Sequence, residues 1–295
     1  MGFPDLHHFN FLLCFFVLII YCMSISGNMV IIALVSISKT LHFPMYFFIV
    51  QVSILDILLT TDVVSIMFPV ILYEGVLISL SGCIAQFFFF ATVEGCECLL
   101  LTVMSYDRYL AICNPFHYSS IVNKLFCIKV IFLAWLLSSF MTLCNAAAMC
   151  NLSFCGPNSI DHFFCDLPPL MKLICSDASI VHGLTYFICI SVIICPFIII
   201  VISYIYIVFT IVRIPSITGR QKAFSTCSSH LTVVCLFYGA LISVYVVPQT
   251  GDLLTLNKVM SLFYTLVTPV LNPLIYTLRN KDFKEAFQKC RHCVL

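Results

Sequence analysis

Between Phe9 and Ser36 the chain reads FNFLLCFFVLIIYCMSISGNMVIIALVS, with no Asp, Glu, Lys or Arg in it. A helix needs roughly 20 apolar residues to cross the hydrocarbon of a bilayer, so this run is long enough for a first transmembrane helix. It is too long for the apolar part of a cleaved signal peptide, and no basic segment precedes it. Six further apolar runs follow, near 44–72, 83–112, 126–148, 183–212, 223–247 and 256–278. They predict helices rather than barrel strands. Lipid offers no partner to a backbone N–H or C=O, and a helix satisfies both within itself. The alternating polarity of a barrel strand, about 10 residues long, is absent. Pro196 and Pro273 fall inside runs, which membrane helices tolerate. The expected fold class is an all-α membrane protein. Residues 1–295 form a single domain, a seven-transmembrane helix bundle with a short amphipathic helix near 280–290.

Composition agrees with that reading. The 295 residues are 62% hydrophobic and 9% charged, against roughly 25% charged in soluble domains. A soluble globular domain is excluded, and so is a disordered chain. The formal net charge of +1 gives no ground for nucleic-acid binding. Orientation follows from the basic residues, which gather on the cytoplasmic side. With the N-terminus outside, all of the 14 Lys and Arg fall inside except Lys172 and Lys258.

The longest outer segment, near 149–182, holds Cys155, Cys165 and Cys175, and Cys83 opens the third run on the same side. An oxidising compartment favours disulfides there. Four cysteines allow three pairings, and spacing alone does not choose among them. Most of the other cysteines lie in apolar runs and read as small buried hydrophobes. Asn151-Leu152-Ser153 is a glycosylation sequon on the same outer segment.

Six motifs then appear in one order. They are Gly27-Asn28, Leu41-His42-Phe43-Pro44-Met45-Tyr46-Phe47-Phe48, Met104-Ser105-Tyr106-Asp107-Arg108-Tyr109-Leu110-Ala111-Ile112-Cys113, Ser203-Tyr204, Lys222-Ala223-Phe224-Ser225-Thr226-Cys227-Ser228-Ser229-His230-Leu231 and Pro269-Val270-Leu271-Asn272-Pro273-Leu274-Ile275-Tyr276. Together they cover nearly the whole chain and resemble the odorant receptors of the rhodopsin-like G-protein-coupled class. The outer segment His162-Phe163-Phe164-Cys165-Asp166 is similar to the tetrapod-type group.

The resemblance implies a multi-pass plasma-membrane protein, N-terminus extracellular and C-terminus cytoplasmic. It would bind a small volatile odorant and activate a stimulatory, olfactory-type heterotrimeric G protein, raising cAMP. It also implies a ligand set of Phe90, Ala91, Glu94, Gly95, Ile188, Val192, Tyr238, Leu241, Tyr245 and Thr265. The implied activation switch is Asp107, Arg108, Tyr204, His230, Asn272, Pro273 and Tyr276. The disulfides it implies are Cys83–Cys165 and Cys155–Cys175, with Cys83–Cys175 as the alternative. The family carries a longer, sequon-bearing segment before the first helix. Here no sequon precedes residue 151, so weak surface delivery is expected even with receptor-trafficking chaperones as partners.

Several residues keep two readings. Arg108 as a plain interfacial arginine would extend its charged head to water; the resemblance makes it the switch instead. Asp56 and Glu97 are acids at membrane depth, which face the bundle interior. By resemblance they surround a sodium ion; otherwise they are a protonated, hydrogen-bonded pair. Glu94 either meets the ligand or bonds a hydroxyl of the second helix. His162 and Cys165 have spacing compatible with a soft metal site; a disulfide at Cys165 removes it, and no metal is the expectation. Cys290 and Cys293 are candidates for palmitoylation or stay as thiols, beside the helix expected to lie on membrane lipid. Nothing resembles a nucleophile–base pair, so the chain is not expected to be an enzyme. The rival functions are a receptor of the same class for an amine or peptide, and a transporter using the intramembrane acids.

Overall fold

A computed structural model describes residues 10–155, 159–245 and 253–294, without the side chains at 222, 225, 226, 253–257, 278, 279, 281, 282 and 290–294. Seven helices in it are long and apolar enough to cross a membrane. They are α1 (Asn10–Ile37), α2 (Pro44–Leu72), α3 (Leu80–Cys113), α4 (Lys124–Cys150), α5 (Ser179–Arg213), α6 (Ile217–Tyr245) and α7, the last built from Leu253–Leu262, Phe263–Val267 and Thr268–Arg279. An eighth helix, α8 (Lys281–Val294), follows. Five starts lie upstream of the apolar runs, at Leu80, Lys124, Ser179, Ile217 and Leu253. Hydropathy marks where lipid begins, whereas a helix ends where its first N–H groups find a cap. The Ser79 hydroxyl accepts from Gly82 N at 3.1 Å, and Asn123 does the same for Phe126 N at 2.9 Å.

α3 is the axis of the bundle and packs against α2, α4, α5 and α6. Among the described residues it carries more of the inward polar groups than any other helix: Gln86, Thr92, Glu94, Glu97, Ser105 and Asp107 are all buried. The outer faces are the reverse. On α4, Phe132, Leu133, Leu136 and Phe140 are exposed, an apolar face that only lipid or a partner can cover. Lipid-like surroundings give apolar residues no reason to prefer the interior, so hydrogen bonds and close backbone approach order the helices. Asn28 donates to Pro269 O at 3.0 Å, joining α1 to α7. Thr92 and Thr142 share a bond at 2.6 Å, and Ser138 donates to Thr92 O at 2.7 Å, joining α3 to α4. Gly95 is what allows that second approach. A Cβ there would sit 2.5 Å from Ser138 Oγ.

Two π turns interrupt the ladders, at Cys189–Ile194 in α5 and Phe263–Val267 in α7. Each ends two residues before a proline, Pro196 and Pro269. Proline lacks the N–H that would bond four residues back, so the turn widens locally. α8 buries Phe283 and Ala286 and exposes Lys284, Glu285, Phe287 and Lys289. Phe283 meets Tyr46 of α2 edge-on at 5.3 Å. The side chains of Cys290 and Cys293, the candidates for lipidation, lie outside the described residues.

Candidate functional site

Cys83 at the start of α3 is bonded to Cys165, with Cα atoms 5.3 Å apart. Cys155 is bonded to Cys175 at 5.9 Å. The first bridge draws the segment after α4 over the end of the bundle. Gln86 fixes it, accepting from Cys165 N at 2.9 Å and donating to Asp62 O at 3.2 Å. Phe163 and Phe164 turn inward, and Phe164 packs on Phe90 of α3 at 4.9 Å. With its sulfur in a disulfide, Cys165 cannot ligate a metal, which corrects the metal reading of His162 and Cys165. His162 is half-buried against Phe164, ring centroids 4.8 Å apart. Burial holds its pKa down at about 4 from 6.5. Asp166 also turns in. It caps the short helix Leu167–Met171 and accepts from Tyr245 of α6 at 2.9 and 3.0 Å. Burial raises its pKa from 3.8 to about 6.

Beneath this roof lies an empty space of about 560 Å³, its opening included, between α3, α4, α5 and α6. Of the ligand set expected from sequence, Ala91, Glu94, Gly95, Ile188, Val192, Leu241 and Tyr245 line it. Phe90, Tyr238 and Thr265 do not. Phe90 packs on Phe164 and, at 6.2 Å, Tyr264; Tyr238 donates to Cys98 O at 3.1 Å; Thr265 bonds back to Ser261 O at 2.7 Å. A helix apolar all round carries no rotational signal at single-residue precision, and these three make their contacts away from the cavity. Phe87, Cys98, Thr142, Asn145, Leu167, Thr185, Cys189 and Ile193 line the space too. Half of these were legible as extensions of a stripe. Phe87, Ala91, Glu94 and Cys98 recur at helical spacing on one face of α3, as Thr185, Ile188, Cys189 and Val192 do on α5. Glu94 faces this space; the expected alternative, a hydroxyl of α2, is not its partner.

One turn further from the roof, the second pair of acids is enclosed. Asp56 and Glu97 are 0% and 1% exposed. Asn272 donates to both Asp56 oxygens, at 3.1 and 3.2 Å. Both Glu97 oxygens and Asn272 Oδ1 have no hydrogen-bond partner. Unmatched acceptors of this kind suit a small hard cation, which binds through oxygen alone.

At the opposite end of α3 from the disulfide, Arg108 is paired to the carboxylate of Asp107. Tyr118 donates to the other oxygen at 2.9 Å from the short helix Pro115–Ile121. Tyr204 of α5 hydrogen-bonds His230 Nδ1 of α6 at 2.7 Å. Arg108, His230 and Tyr276 together border a small gap, closed off by Met45, Met104 and Asn280. Pro273 abuts Gly27, where a Cβ would lie 3.1 Å from the ring.

A roofed cavity, a buried acid pair and a charge-paired arginine, strung along one central helix, define a seven-helix membrane receptor. A family model described as "Olfactory receptor" matches residues 16–292. Human "Olfactory receptor 11L1" is 45% identical over 98% of this chain and 90% of its own length. Mouse "Olfactory receptor 5P53" is 44% identical over 92% and 87%, and human "Olfactory receptor 10A3" 40% over the same shares. The chain belongs to the olfactory receptor family; it is a receptor and not an enzyme.

Proposed function

We propose that the chain binds a small volatile molecule in the cavity beneath the Cys83–Cys165 roof and passes that event to a stimulatory G protein at the Arg108 end, raising cAMP. The observation that carries this reading is the cavity itself: mostly apolar walls with a few polar groups, which is how small-molecule sites are built. The N-terminus would lie outside the cell, since that orientation puts the basic ends of the helices in the cytoplasm. The ligand acts through its differential affinity for two states of the bundle. In the closed state Asp107, itself bonded by Tyr118, holds Arg108, and the Tyr204–His230 pair and Tyr276 stand beside it. In the open state Arg108 leaves Asp107 and the three aromatic groups regroup around it, exposing a surface for the G protein. Asp56, Glu97 and Asn272 would hold a sodium ion, whose charge lets both carboxylates stay ionised at close range. Asn151, exposed at the end of α4, is the glycan acceptor.

The test is Arg108→Ala in cells that report cAMP. A ligand-driven rise in the parent receptor should vanish in the variant while surface staining stays within about twofold of the parent, the substitution lying at the rim of the bundle. An unchanged ligand response would remove Arg108 from the switch.

A further inference from the structure

The polar lining of the cavity has a particular imbalance. Thr142 is engaged with Thr92 and Ser138 O, Thr185 donates to Val181 O at 2.7 Å, and Tyr245 donates to Asp166. Asn145 gives its Nδ2 to Thr185 at 3.1 Å. What remains is two acceptors. Glu94 Oε1 and Asn145 Oδ1 are buried, border the same space and have no hydrogen-bond partner. Glu94 is 7% exposed and Asn145 2%, so water at the surface does not serve them. An unmade bond to a buried polar atom is costly, more so for a charged one. No Lys, Arg or His lines the cavity among the described residues, and the thiols of Cys98 and Cys189 are weak donors.

A ligand that fits this lining brings hydrogens, not lone pairs. An alcohol brings one. A carboxylate brings none and adds a negative charge beside Glu94. An ammonium brings three, with the charge that a carboxylate favours, and an alkylammonium keeps its proton up to about pH 10, as a lysine does. Resting on the reading of the cavity as the odorant site, we propose that this receptor takes a small primary alkylamine. Its ammonium group donates to Glu94 Oε1 and Asn145 Oδ1, and its chain lies against Ala91, Val192 and Leu241. The hydrogen bond to Glu94 is charge-assisted and is the stronger of the two. No bond is made or broken covalently.

The experiment uses the purified full chain in lipid nanodiscs, so that coupling and surface delivery play no part. Melting temperature is followed against hexylamine, hexan-1-ol and hexanoate. Hexylamine should raise it at concentrations where the other two do not. Glu94→Gln should weaken the hexylamine midpoint by about tenfold or more, the weight of one charged hydrogen bond. Asn145→Leu should weaken it several-fold, and neither variant should shift a hexan-1-ol midpoint by more than about threefold. A shift from hexan-1-ol or hexanoate without one from hexylamine overturns the amine assignment and leaves the cavity as an odorant site. So does equal weakening of all ligands in Glu94→Gln. No shift from these three or from a broad set of neutral volatiles overturns the amine assignment and the odorant reading together. If Glu94→Gln does not fold, the parent's ranking of the three ligands and Asn145→Leu still decide.

Discussion

Asp166 and His162 sit four residues apart in the roof, the first buried and the second half-buried, with pKa values displaced in opposite directions. Asp166 is at about 6 against an ordinary 3.8. Its raised value means the folded state binds the proton more tightly, so stability falls as pH rises from about 4 to 6 and is gained back on acidification. His162 is at about 4 against 6.5. Its stability is present above pH 6.5 and is lost as pH falls toward 4. Between pH 6 and 4 the two slopes oppose. Taking the purified receptor from pH 7 to 5 should therefore lower its melting temperature only slightly. Asp166→Asn leaves the histidine slope alone, and the same step should lower it by more. Equal falls in the two proteins would show that Asp166 does not titrate in this window. Sequence placed both residues on the outer segment, but not facing inward. The Tyr245 hydroxyl donated from α6 and the Leu167 N–H together satisfy the buried carboxylate of Asp166, and neither partner is visible in the spacing of the sequence.

The helices were the most legible elements. Lipid permits no other backbone arrangement for runs this apolar, so their number and approximate ends could be read directly. Their rotation could not, because rotation is set by packing among neighbours; Phe90, Tyr238 and Thr265 show the consequence. The π turns were also hidden, although Pro196 was visible. A proline in a membrane helix announces a lost hydrogen bond, and whether the ladder kinks or widens depends on the walls around it. Close approach of α3 to α4 gives a sharp test at this scale. The Cβ of Gly95→Ala would fall 2.5 Å from Ser138 Oγ, and that hydroxyl is held by its bond to Thr92 O. The substitution should destabilise the bundle by about 1–3 kcal/mol, the usual cost of overpacking. Adding Ser138→Ala removes the clashing oxygen and leaves the Cβ of residue 138 at an ordinary 3.5 Å. The double variant should then melt above the single one. A double variant no better than Gly95→Ala would mean that the contact is not what limits the approach.

At the scale of the molecule, one helix connects everything. α3 is bridged to the roof at Cys83, lines the cavity at Ala91 and Glu94, encloses Glu97, and ends at Asp107 and Arg108. Cutting its upper attachment should be felt at large. Cys83→Ser with Cys165→Ser frees the roof and should lower stability by about 2–5 kcal/mol. It should also open the cavity to water, reducing ligand potency further than Cys155→Ser with Cys175→Ser, whose loop stays anchored by the Cys83–Cys165 bridge. The two pairs would behave alike if the roof did not shape the site. The claim on which the rest depends is that the enclosed space holds the ligand. The most direct measurement fills it. Ala91→Trp puts an indole into the cavity from the face of α3, leaving Glu97 and Arg108 untouched. Cells reporting cAMP should show a dose-dependent rise to a volatile ligand with the parent receptor, and at least a tenfold loss of potency with Ala91→Trp at equal surface level. A response of undiminished potency in the filled receptor would place the ligand elsewhere and contradict the account.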